Sequence, residues 1–127
     1  EVDANGCPIR EKQNLDKIAR RIQFHKGTDK PLNSAYTAFS DVVSIMRHNK
    51  KIAIEIHCSV KQGEAMVPQS LSEARATVIY DFLVNKGIKE ERLKATGYGL
   101  HLPSNVRGHT KLNPVGVRLI PHNFAQE

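Results

Sequence analysis

At 127 residues, the chain has room for one domain with a two-layer core. Its hydrophobic share of 39% and charged share of 25% are ordinary for a globular protein, and no apolar run approaches the roughly 20 residues that span a bilayer. The net charge of +6 favours anionic partners, but no aromatic-and-basic pattern accompanies it, which argues against nucleic acid.

The first elements are a linker and a strand. Residues 1–16 are polar, rich in turn formers and without periodicity, which predicts a linker. Residues 18–24 then carry apolar side chains at alternating positions, interrupted by Arg20, which predicts a strand.

A helix and the clearest strand follow the loop at 27–31. Asn33 or Ser34 is suited to cap a helix that runs to about Arg47, because apolar residues recur at helical spacing between them. Residues 52–58 alternate so that isoleucines share one face with Cys58, which predicts a half-buried strand.

A second helix follows the loop 59–69. Ser70 and Glu73 have the spacing of a capping box, and Gly87 is a natural C-terminal stop. Apolar alternation then predicts strands over 93–97 and 115–119, separated by a long loop. This order, βαβαββ, predicts an α/β (α+β) two-layer sandwich, with a mixed sheet and two main helices on one face.

The cysteines and histidines do not indicate a reaction centre. Cys58 ends an apolar strand, which predicts a buried thiol, whereas Cys7 lies in a turn-rich opening. A disulfide between them and a partner for Cys7 upstream of residue 1 both stay open, since sequence does not determine pairing. The six histidines lack metal-ligand spacing, so we expect no metal and no cofactor.

A combination of motifs resembles the OmpA-like C-terminal domain family. These motifs are Ile52–Ile56, a loop containing Gly63, Leu71-Ser-Glu-Ala-Arg75-Ala76, Gly87-Ile88 and Gly97-Tyr-Gly99. The resemblance covers residues 17–121, leaving 1–16 as the end of a cysteine-containing linker and 122–127 as a tail. It implies a non-enzymatic periplasmic domain of an outer-membrane protein or lipoprotein in a Gram-negative bacterium, with any export signal or membrane anchor outside this sequence.

Family members grip the diaminopimelate of the peptidoglycan stem peptide, a zwitterion that needs one cation and one anion. The resemblance assigns the cation to Arg75, whose fork suits a carboxylate. It implies that Ser59, Val60 and Gly63 line the pocket, with Leu71 beside it.

The acid of the family pattern is missing. It would lie fifteen residues before Arg75, at Val60, and the pattern also departs at Pro68 and at 113–117. An unpaired ligand ammonium costs on the order of 2–5 kcal/mol, so we expect weakened binding. Glu64 is the better substitute acid, because we expect Glu73 to cap its helix.

Two other functions stay open at this stage. The first is a structural or protein-interaction module that has kept the fold and lost the ligand. In that case Arg75 would pair with an internal acid such as Glu55 or Glu73. The second is non-specific binding of polyanions by a domain with a net charge of +6. The affinity would then fall steeply with rising salt and would not change in the Arg75→Ala variant.

Overall fold

The structure, a computed structural model, describes residues 9–100 and 116–123. Along these residues lie helix α1 (Ile9–Arg20), helix α2 (Asn33–His48), strand β1 (Ile52–Cys58), helix α3 (Pro68–Asn85), a 3₁₀ turn (Glu90–Arg92), strand β2 (Leu93–Gly97) and strand β3 (Val117–Asn123).

The described strands form one mixed sheet in the order β2-β1-β3. Strand β1 pairs in parallel with β2, with Ile54 opposite Leu93, and antiparallel with β3, with Ile56 opposite Leu119. A parallel pair needs a crossover connection, which α3 supplies between β1 and β2. The predicted α/β fold with a mixed sheet is therefore confirmed.

The core lies between one face of this sheet and the helices. The inward residues of β1, Ile52, Ile54, Ile56 and Cys58, belong to one apolar cluster with residues from all three helices. Helix α2 contributes a stripe at helical spacing: Ala35, Ala38, Phe39, Val42, Val43 and Met46. The predicted packing of the two main helices against one sheet face is confirmed, and α1 adds a third helix to that layer.

The strand predicted over 18–24 is wrong. Helix α1 extends to Arg20, and Phe24 makes only an isolated bridge with Pro31. Four buried residues, Leu15, Ile18, Ala19 and Ile22, recur at the spacing of one helix face, which continues one turn beyond Arg20. Ile18 and Ile22 fit the spacing of a strand as well as that of a helix. Leu15, which the prediction placed in the linker, fits the helical spacing alone. The domain division at residue 16 stays a prediction.

Both predicted helix caps are also wrong. Helix α2 has Leu32 as N-cap and α3 has Val67, and neither makes a side-chain cap hydrogen bond. Pro68 is the first residue of α3, where its missing N–H costs nothing and its fixed φ favours the helix. Glu73 therefore does not cap α3; its carboxylate accepts a hydrogen bond of 2.8 Å from Gln69 Nε2.

The remaining predictions fall partly beyond the described residues. Strand β3 begins two residues after the predicted start and runs on to Asn123. Cys7 and most of the predicted loop over 98–113 lie outside the described ranges. No helix within those ranges is both long and apolar enough to cross a membrane.

Candidate ligand-binding cleft

Helix α3 is held close to the end of β2 by a glycine and a serine. A Cβ on Gly97 would collide with the backbone of Glu73 and lie 2.6 Å from Ser72 Oγ, so only glycine fits there. The buried Ser72 hydroxyl accepts a hydrogen bond of 2.9 Å from the N–H of Gly99 and donates one to Gln69 O. This contact positions the helix that carries Arg75.

Arg75 is buried beneath the loop between α1 and α2. Its side chain donates from Nε to Thr28 O at 2.8 Å and from Nη2 to His25 O at 3.4 Å. Nη2 also donates to Glu64 Oε2, forming an ion pair in which the two side chains are 8% and 10% exposed. The Phe24 ring lies 5.1 Å from the guanidinium carbon, at cation–π distance.

Glu64 connects two loops to Arg75. Its Oε2 accepts the N–H of Gly27 at 3.0 Å, and its Oε1 accepts the N–H of Lys61 at 3.2 Å. These donors favour the ionised form, and the hydrogen bond from Arg75 contributes most, so the pKa of Glu64 falls to about 2. The carboxylate is therefore an anion at any physiological pH.

A cleft of about 680 Å³ opens beside this ion pair. Arg75 and Glu64 both line it, together with Ser59, Gly63 and residues from the end of α1. Among the described residues, no group accepts a hydrogen bond from Arg75 Nη1, which carries two N–H groups. Nη1 is therefore the end of the guanidinium that the described residues leave unused.

The cleft brings together four of the six residues predicted for the site. Ser59 lines it, but its Oγ already accepts the Gly116 N–H at 3.0 Å. Gly63 has φ +86 and open space where a side chain would project. Val60 is 1% exposed, donates its N–H to Gly99 O and does not line the cleft, and the half-buried Leu71 also lies outside its lining.

Two features of the site were missed from the sequence. The internal acid on Arg75 is Glu64, whereas the sequence suggested Glu55 or Glu73. Phe24 and the carbonyls of His25 and Thr28 also contact Arg75 from about 50 residues away. No local pattern connects such distant segments, although the glycine-containing loop at 27–31 marked the place where the chain turns.

The buried Cys58 and His57 are not arranged for nucleophilic chemistry. They alternate along β1, so their side chains point to opposite faces of the sheet. Burial raises the pKa of the Cys58 thiol to about 12 and lowers the pKa of His57, whose Nε2 lies 3.0 Å from Glu55 Oε1. The predicted buried thiol is confirmed, and Cys58 is free. Among the described residues, no three metal-ligating side chains cluster.

Comparisons with known proteins agree with this fold. A model of the OmpA family matches residues 23–111. A putative MotB-like protein from Desulfovibrio vulgaris has a TM-score of 0.67 at 14% identity, over 93% of this chain and 88% of that one. The periplasmic domain of Helicobacter pylori MotB (residues 90–256) has a TM-score of 0.65 at 13% identity, over 84% and 71%.

An outer membrane protein from Borrelia burgdorferi B31 is also similar, with a TM-score of 0.53 at 19% identity, over 83% of this chain and 84% of that one. No curated protein matches the sequence. The similar structures are all below 25% identity, so they support the fold and leave the ligand to be argued from the cleft.

Proposed function

The chain belongs to the OmpA family, and from this premise we propose that it contacts peptidoglycan through the diaminopimelate of the stem peptide. Domains of this family are non-enzymatic, of the peptidoglycan-binding type, and periplasmic. One observation carries the proposal: a guanidinium and a carboxylate lie side by side in the wall of one cleft, and the diaminopimelate end carries both opposite charges.

Arg75 receives the ligand carboxylate. Its Nη1 is the donor left over after Nε and Nη2 are used within the described chain, and the side chain lines the cleft. A charge-assisted hydrogen bond to a carboxylate is roughly twice as strong as a neutral one. Burial of the guanidinium against Phe24 and two carbonyls fixes its plane before the ligand arrives, which lowers the entropic cost of binding.

Glu64 receives the ligand ammonium in place of the missing acid at Val60. Among the described residues, its Oε1 accepts one hydrogen bond, from the N–H of Lys61, which leaves a lone pair that no described donor uses. Because Glu64 is already paired with Arg75, a ligand gains less from either charge than it would from two separate residues. We therefore expect peptidoglycan binding weaker than a site with its own ammonium-binding aspartate would have.

The domain then belongs to an outer-membrane protein or lipoprotein of a Gram-negative bacterium. The resemblance of residues 2–8 to the linker of such proteins supports this location. The similar structures include both MotB periplasmic domains and an outer membrane protein, so they are compatible with attachment to either membrane. The membrane contact itself would come from other parts of the protein.

Calorimetry with a soluble diaminopimelate-containing stem peptide tests the proposal. Arg75→Lys keeps the charge but loses the fork, and we expect at least a tenfold loss of affinity. Arg92→Lys is the matched control, because Arg92 is equally buried but lies outside the cleft lining, so that variant should lose stability and keep its affinity. Absence of binding to stem peptide and to purified peptidoglycan, at both low and physiological salt, would overturn the proposal.

A second candidate function is a structural or protein-interaction module whose pocket is occupied by its own Glu64. The ion pair itself favours this reading, since the Glu64 carboxylate takes a donor that a ligand carboxylate would use. The two functions predict opposite results for Glu64→Gln. If Glu64 binds the ammonium, the variant loses affinity for diaminopimelate; if it only blocks Arg75, the variant gains affinity for diaminopimelate and for pimelate alike.

A further inference from the structure

The rim of the cleft carries more positive charge than a zwitterion needs. Among the described residues that line it, Arg20, Lys26, Lys61 and Arg75 are cationic, and Glu64 is the single carboxylate. Glu64 and Arg75 neutralise each other. The other three side chains are exposed, and no ion pair or side-chain hydrogen bond joins them to a group in the described ranges.

These unpaired cations are not explained by the diaminopimelate end alone. That end has no net charge, so its binding uses Arg75 and Glu64 and leaves the rim without an anion. Like charges gathered around one concave surface repel each other and raise the local concentration of anions. The cleft is also large: about 680 Å³ lies within the roughly 300–1,000 Å³ of pockets that hold drug-sized ligands.

We infer that the rim formed by Arg20, Lys26 and Lys61 binds a second carboxylate, so that the cleft selects an acidic peptide over a neutral one. This inference rests on the proposed function for the position of the ligand's end, and extends it to the neighbouring residue of the peptide. Lys26 lies in the loop that also presents the carbonyls bound by Arg75, and Lys61 begins the loop that presents Glu64.

Two peptides that differ in one group measure the second contact. The first is N-acetyl-γ-glutamyl-diaminopimelate in which the diaminopimelate carboxyl next to the peptide bond is blocked as an amide. The second is the same dipeptide with the glutamyl α-carboxylate also converted to an amide. Because exposed ion pairs are individually weak, the acid should bind about three- to tenfold tighter than the amide at low salt. The difference should shrink as salt rises from 50 to 300 mM.

Variants of the rim test whether its lysines cause the preference for the acidic peptide. Lys26→Gln with Lys61→Gln should remove the preference, so that within this variant the acid binds no more tightly than the amide, whatever the common affinity for both peptides. Lys50→Gln with Lys51→Gln removes the same net charge outside the described lining of the cleft and should keep the preference. Equal affinity of the wild type for both peptides, or a preference that survives in the rim variant, would overturn the inference.

A third probe separates this inference from the proposed function. N-acetyl-γ-glutamyl-glutamate with the glutamate α-carboxyl blocked as an amide carries the same two carboxylates as the first peptide but has no ammonium. If this probe binds in a rim-dependent manner and neither diaminopimelate peptide binds, the acidic-peptide site is supported and the proposed binding of diaminopimelate is wrong. If none of the three peptides binds, the inference and the proposed function are both wrong.

Discussion

Arg75 and Arg92 are two buried arginines with different surroundings. Their exposed fractions are 7% and 8%. Within the described residues, Arg92 donates to backbone carbonyls alone, from Nε to Ile52 O at 2.9 Å and from Nη2 to Met46 O and Asn49 O at 2.9 and 2.8 Å. Arg75 donates to two carbonyls, but also to the carboxylate of Glu64, and borders the cleft.

The two arginines differ in the partners and the space around them. Arg92 satisfies carbonyls at the turn between α2 and β1, and burial lowers its pKa. Arg75 is paired with Glu64, and both side chains line the cleft. Because burial is common to both arginines, only the position of Arg75 in the cleft wall supports the ligand-binding role proposed for it.

Removal of the structural arginine should have the largest effect on stability. Arg92→Ala leaves three carbonyls without their donors at the α2–β1 turn, which should lower the free energy of unfolding by about 3 kcal/mol or more. Arg47→Ala is the control, since Arg47 is exposed and donates one bond, to Lys86 O. Urea denaturation measures both; an equal loss in the two variants would contradict a structural role for Arg92.

Low pH should lower the stability of the fold through the ion pair between Arg75 and Glu64. The pKa of Glu64 is about 2 in the folded protein, below its unfolded value, so its stabilisation is present above the unfolded pKa and lost as pH falls through about 4 to 2. The loss should reach about 3 kcal/mol once the pH is below both pKa values, at roughly 1.4 kcal/mol per pKa unit.

Denaturation at stepped pH checks this dependence in two variants. Glu64→Gln should remove most of that acid sensitivity, whereas Arg92→Lys should retain it because Arg92 has no carboxylate partner in the described chain. If Glu64→Gln left the pH profile unchanged, the ion pair would not be the cause.

The smallest expected effect concerns the aromatic ring beside Arg75. Phe24→Leu removes a cation–π contact and should cost about 1 kcal/mol of stability and weaken stem-peptide binding by a few fold. Phe82→Leu is the matched control, because its ring contacts Lys86 at 5.5 Å outside the described lining of the cleft. Equal affinities of the two variants would show that Phe24 does not position Arg75.

Periodicity was a reliable guide where a segment was long and apolar on one face. It located α2, α3, β1 and β2 to within two residues, with β3 displaced. It failed at 18–24, where Ile18 and Ile22 fit a helix as well as a strand. The cap prediction for α3 failed because Pro68 already begins that helix, two residues before Ser70.

The candidate site was predicted in part. The motif around Arg75 indicated the cation, and Glu64 was named as the substitute acid. The pairing of Glu64 with Arg75 joins a loop to a helix 11 residues later, and both residues pack against the loop at 25–28 across 37 to 50 residues. Neither contact follows a periodic spacing that can be recognised in the sequence.

By itself, the sequence determined the layered α/β architecture and the family, because side-chain periodicity and short motifs are local properties of the chain. The tertiary structure alone decided that Glu64 reaches Arg75, that the buried Val60 does not line the cleft, and that Lys26 and Lys61 border the same cavity. These outcomes depend on how two loops pack over one helix. That packing could not be read from local patterns, because a fold buries apolar surface and pairs polar groups across the whole molecule at once.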